Sequence, residues 1–212
     1  MRNLARNLLV FTIGLAAGLV TWAVTARLSA EHATIVFAQN AQSAERIASP
    51  QYDSHGALIR PRDFETWVFV GSSTGLTYEP GIPTAGAGEF HDVYIRPESY
   101  REYVRTGKFP EKTVLVLALY PPEEKVSPAK GGYFEGDLEG MAAAVKDHQH
   151  FPEGWAYFNF GESGRLKDTA TANPPSTCYS CHKQHAADDN VFVQFYPILR
   201  PITNAHRHGS RR

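Results

Sequence analysis

The 212-residue chain holds only two cysteines, and both fall inside one short window, Cys178-Tyr179-Ser180-Cys181-His182. With no thiol elsewhere, a disulfide framework is excluded, and a chain of this length does not need one. Methionine is as scarce: beyond the initiator only Met141 remains. A single thioether is therefore all the chain offers as a soft neutral metal ligand. Charge of one sign is also lacking, since 21 basic and 22 acidic side chains nearly cancel. No broad positive face exists to hold nucleic acid, and that class of partner is excluded. No segment repeats along the chain.

What the chain does have is the spacing C-x-x-C-H, the signature of covalent haem attachment. On a helical turn, positions i, i+3 and i+4 share a face, so Cys178, Cys181 and His182 project together. Two thiols can then add to the two vinyl groups of one porphyrin while the imidazole coordinates iron. The reading is one covalent haem c, with His182 as the iron ligand. A redox dithiol competes with it, but such a pair follows a buried strand, whereas residues 169–177 (TATANPPST) read as loop. Zinc on Cys178, Cys181, His182 and His185 also competes, although adjacent Cys181 and His182 would crowd a tetrahedron. A chance match with no cofactor is the remaining alternative.

Arg2 and Arg6 precede an apolar run from Leu8 to Val24, and the small residues Ala26, Ser29 and Ala30 follow. Residues 1–30 read as an export signal, or as an uncleaved membrane anchor, the run being at the short limit of the roughly 17–25 residues that span a bilayer. Either way the remainder is expected in the periplasm, free or tethered to the periplasmic face of the inner membrane. Residues 31–51 read as a lead-in linker, 52–201 as the folded domain and 202–212 as a mobile basic tail.

Within the domain, Thr66–Val70, His91–Ile95, Thr113–Tyr120, Tyr133–Leu138 and Trp155–Phe160 are rich in β-branched and aromatic residues and read as strands. Helices are expected over Pro97–Gly107, with Pro at its start and Gly at its end, over Leu138–His148, and around the cysteines. The fold class is α+β, mainly β: an antiparallel sheet of about five strands with a few helices around one haem. Asn190–Leu199 is expected as an extended stretch closing the domain beside the cofactor.

Several strings besides the attachment motif resemble the cytochrome P-460 family, which includes cytochrome c-prime-beta. They are Trp67–Gly71, Phe90–Ile95, Thr106–Pro110, Gly132–Phe134 with Gly136, Phe151–Phe158 and Asp189–Pro197. The resemblance covers 52–200 and implies a mostly antiparallel sheet, one c-type haem and a homodimer. It also implies either binding of nitric oxide or carbon monoxide, or oxidation of hydroxylamine or nitric oxide through a lysine cross-linked haem. Carried onto this chain, Cys178 and Cys181 match the thioether positions and His182 the proximal ligand. The cross-linking lysine is replaced, since Thr113-Val114-Leu115-Val116 is followed by Leu117. Lys108 and Lys112 lie nearby but out of register, and a one-residue slip on a strand points a side chain to the other face.

The sixth iron position decides the function. Met141 reads as helical core packing, and His91, His148, His150 and His185 as ordinary surface or core histidines. Glu135, Asp137 and Glu139 recur at period two, which on a strand gives them a common face. Asp137 is the candidate distal acid, with Phe90 and Phe134 as candidate caps of the pocket. The expectation is an exported monohaem c-type cytochrome with an open iron site for small ligands such as nitric oxide. The alternatives are an oxidoreductase acting on hydroxylamine or nitric oxide, and an electron-transfer cytochrome whose redox partner is unknown.

Overall fold

The computed structural model describes residues 48–77, 87–124, 127–161 and 164–209. The expected leader, 1–30, and all but the end of the expected lead-in, 31–51, lie outside the described residues. In chain order come β1 (Leu58–Ile59), a 3-10 turn (Phe64–Thr66), β2 (Val68–Thr74), β3 (Phe90–Ile95), α1 (Pro97–Thr106) and β4 (Val114–Tyr120). Then follow β5 (Pro122–Glu124), β6 (Tyr133–Glu135), β7 (Gly140–Lys146), β8 (Trp155–Gly161) and β9 (Thr169–Ala170). The chain ends with α2 (Tyr179–His185), a 3-10 turn (Val193–Phe195) and α3 (Arg200–Gly209). Strands β2-β3-β4-β7-β8 form one antiparallel sheet, and the class is α+β, mainly β, as the sequence implies.

Alternation along β4 sorts its side chains onto two faces. Val114, Val116 and Ala118 join Met141, Ala143 and Val145 of β7 and Ala156, Phe158 and Phe160 of β8 in one buried cluster, closed by Phe64 and Trp67. Leu115 points the other way with Val93, Ile95, Trp155 and Tyr157, and this second cluster is covered by Tyr103, Phe109, Val191, Val193 and Leu199. On that face Leu115 pairs across the strands with Ala144 and Leu117 with Ala142.

Pro97 opens α1, and Gly107 ends it in the left-handed region at φ 69°, its N–H donating to the Tyr103 carbonyl. A Cβ at Gly107 would meet the His206 ring at 2.4 Å, because α3 docks there. Gly71 permits a similar approach, since a Cβ would stand 2.9 Å from Pro197 Cδ. Both contacts bring the C-terminal segment onto the second face of the sheet.

Four expectations are corrected. The helix expected over Leu138–His148 is the strand β7; its alanines favour helix in isolation, but pairing with both β4 and β8 and burial of Met141, Ala143 and Val145 outweigh local propensity. Tyr133–Leu138 supplies only β6, which pairs with β5 in a separate two-stranded ribbon. Asn190–Leu199 is not extended but turns through the 3-10 segment. The expected mobile tail starting at 202 is instead largely α3, anchored by Thr203, whose hydroxyl lies 2.6 Å from that of Tyr103.

Candidate functional site

The cysteine-bearing segment is anchored before it becomes helical. Ser180 N–H and hydroxyl both donate to the Pro175 carbonyl, at 3.0 and 3.1 Å. Cys178 stands at the N-cap of α2, half-buried, with its sulfur accepting from Asn173 Nδ2 at 3.3 Å. Cys181 is exposed and neither thiol is in a disulfide. His182, one turn on from Cys178, packs between the rings of Tyr157 and Phe192, with centroids 4.2 and 4.4 Å away.

The His182 ring is held by one directional contact: Nδ1 lies 2.9 Å from the Asn190 carbonyl oxygen. As a carbonyl only accepts, Nδ1 carries the proton and Nε2, across the ring, keeps its lone pair. Burial lowers the pKa of the imidazole, an effect the Asn190 carbonyl opposes without reversing, so the ring stays neutral at and above its ordinary range. A neutral imidazole with a committed Nδ1–H is what a metal ligand requires.

The loop that presents Asn190 is itself tied down. Asp189 and Asn190 sit at φ 40° and 60°, the left-handed region that Asp and Asn tolerate better than other non-glycine residues. Asp189 accepts from Lys146 Nζ at 2.7 Å and from Trp155 Nε1 at 3.1 Å, while Asp188 accepts from the Tyr103 hydroxyl at 2.9 Å. The Tyr157 hydroxyl donates to the same Asn190 carbonyl at 3.1 Å, and burial pushes its pKa well above the ordinary tyrosine value.

Beside His182 opens a cleft with about 1080 Å³ of empty space, part of it continuous with solvent. Its floor is the second face of the sheet: Leu115 and Leu117 from β4, Ala142 and Ala144 from β7, Tyr157 and Asn159 from β8. Cys178, His182, Phe192, Phe195 and Tyr196 form its wall. The chamber is concave and mostly apolar, with a few polar groups at its margin, the usual character of a cofactor site.

The model of the cytochrome P460 family matches residues 61–193. This chain belongs to the cytochrome P460 family. It is therefore a cytochrome that uses haem and iron, and the residues present fit that group: an apolar cleft, a neutral imidazole at its wall and two unpaired thiols at the start of the adjoining helix. No curated protein matches the chain.

Among the described residues no three His, Cys, Asp or Glu side chains gather as a metal site, so a zinc cluster of Cys178, Cys181, His182 and His185 does not form. Cys178 and His182 line the cleft, whereas Cys181 lies outside its lining. Asp137 is exposed at a bend beyond β6 and does not line the cleft, nor do Glu135 and Glu139; the shared strand face expected for them fails because β6 stops at Glu135. Glu135 instead meets Asp92, and burial followed by that neighbouring carboxylate raises its pKa. Phe90 and Phe134 do not cap the cleft either; Phe192 and Phe195 take that place.

Met141 is 1% exposed, in the cluster on the opposite face. Lys112 is committed to Asp147 and to Gln149 Oε1, Lys108 is exposed, and Leu117 lines the cleft. His148 and His150 are engaged by Glu111 and Asp147, and His185 is exposed. His91 does line the cleft, with Nε2 3.3 Å from Glu89 Oε2. Sequence reasoning passed over Tyr157 and Asn159, although the alternation in Trp155–Phe160 sets them two apart on one face.

Proposed function

We propose that this cytochrome carries one haem bound covalently through Cys178 and Cys181, with His182 as proximal ligand and an open sixth position that takes small ligands such as nitric oxide. The observation that carries the reading is the neutral His182, fixed by Asn190 and wedged between Tyr157 and Phe192 at the wall of an apolar cleft. Attachment adds each thiol across a vinyl group, sulfur to one carbon and hydrogen to the other, so no oxidant is consumed. The bound group supplies a Lewis-acidic iron. The chain does the rest: His182 orients, Asn190 holds the Nδ1 proton, and Leu115, Leu117, Phe192 and Phe195 limit water in the cleft.

The described lining contains no methionine, which supports an open iron site over a methionine-ligated electron carrier. His91 favours one second reading, a six-coordinate electron carrier. Its Nε2 faces Glu89, which leaves Nδ1 as the nitrogen that would ligate. Export to the periplasm, suggested by residues 1–30, and a homodimer, suggested by the family, complete the proposal.

Absorption spectra of oxidised, reduced and carbon monoxide-treated protein, made with a haem-attachment system, test it together with intact mass. One added haem, a high-spin spectrum and a carbon monoxide complex are expected. A low-spin spectrum that becomes high-spin in His91→Ala would establish the second reading, hydroxylamine turnover with an artificial acceptor would establish the enzyme, and a mass without haem would overturn all three.

A further inference from the structure

The Asn190 carbonyl is asked to serve two donors: His182 Nδ1–H at 2.9 Å and the Tyr157 hydroxyl at 3.1 Å. An oxygen already polarised by one donor is a weaker acceptor for another, because both draw on the same lone-pair density. The Tyr157 ring also packs against that of His182, tilted by 39° with centroids 4.2 Å apart, so its hydroxyl is held near the carbonyl by packing. We infer that Tyr157 is a positioning residue for the iron ligand: by sharing the Asn190 carbonyl, its hydroxyl moderates the electron donation that His182 offers iron. The inference rests on the reading of His182 as proximal ligand.

The other half of the device is the strut beneath the carbonyl. Asp188 and Val191 close a tight turn, Val191 N–H donating to the Asp188 carbonyl at 2.7 Å, with Asp189 and Asn190 as its two left-handed residues, and side chains from other segments brace it. Lys146 Nζ, 14% exposed, bonds both Asp189 and the Phe109 carbonyl, and so ties the loop to the end of β7 and to the segment after α1. Trp155 Nε1 adds a bond from β8. With the strut in place the carbonyl cannot turn away from His182. Lys146 and Tyr157 therefore act on one oxygen with opposite sense: Lys146 maintains the His182 bond and Tyr157 weakens it.

The groups that hydrogen-bond the far nitrogen of a ligating imidazole set its basicity, and two variants of the haem-loaded protein separate the roles. Tyr157→Phe keeps the ring against His182 and removes only the hydroxyl; the iron–histidine stretching band of the ferrous protein in resonance Raman should move up and the reduction potential down. Lys146→Met removes one of the two side-chain donors to Asp189 from outside the cleft lining and leaves Trp155; the same band should move down or broaden. Unchanged band and potential in Tyr157→Phe, or shifts of the same sign in both variants, would overturn the inference. Should Tyr157→Phe not fold, an unmoved band in Lys146→Met overturns it alone. An iron–histidine band absent from both wild type and His91→Ala disproves the proximal role of His182 itself, an outcome separate from failure of the tuning.

Discussion

The two faces of the central sheet are made by the same strands and do opposite things. Toward one side, Val116, Met141, Val145, Phe158 and Phe160 are buried to 1% exposure or less and pack as a closed core. Toward the other, Leu115, Leu117, Ala142 and Ala144 form the floor of the cleft beside His182. The average hydrophobicity of the strands does not separate the faces. The segment that covers each face does: Phe64 and Trp67 on the closed side, α2 and the turn at Phe192 on the open one. A β-sheet can thus commit one face to stability and reserve the other for a ligand with no change of backbone.

The comparison can be broken most forcefully from the closed side. Phe158→Ala removes a fully buried ring that meets Phe151 edge-on. It should lower stability by about 4 kcal/mol, measured by urea unfolding, while the absorption of any protein that folds stays that of wild type. A large spectral change would show that the faces are not independent.

Asp147, with a side chain 0% exposed, joins the β7–β8 turn to Lys112 Nζ at 2.5 Å and to His150 Nδ1 at 2.7 Å. Burial alone would raise its pKa, but the hydrogen bonds from Lys112 and His150 and their charges outweigh it and hold the carboxyl below the ordinary range. The unfolded state therefore takes up a proton first as pH falls. The contribution of Asp147 is complete above the ordinary carboxylate pKa and is lost as pH drops through the lowered folded value. Asp147→Ala should cost about 3 kcal/mol at neutral pH. It should also flatten the acid limb of the stability profile measured by denaturant titration, and an unaltered limb would remove Asp147 from the account.

Ala144→Phe fills the open face. Overpacking should lower stability by only about 2 kcal/mol, but covalent haem content, read from intact mass, should fall sharply. Full loading would show that the cleft floor is not where the group lies. The smallest effect is expected from Tyr133→Ser on the exposed β5–β6 ribbon, within about 0.5 kcal/mol of wild type and with the haem spectrum unchanged.

The helix around Cys178, Cys181 and His182 could be read directly because the C-x-x-C-H spacing sets three groups on one helical turn, a local pattern that a linear string displays. The strands from Val68 to Tyr120 and helix α1 were legible for the same reason: alternation, and a proline–glycine pair at the helix ends, are properties of neighbours. Residues 140–146 were misread because a run of alanines carries a helical preference that only pairing on both sides overrides. Asp137 was misread because its period-two spacing needs a strand to continue past Glu135, and the chain bends there instead. Tyr157, Asn190, Asp189 and Lys146 come together from segments as far as 43 positions apart. Which side chains meet around His182 was set by tertiary packing, because a hydrogen bond of about 3 Å depends on the position of whole elements and leaves no periodic trace in the residues that make it.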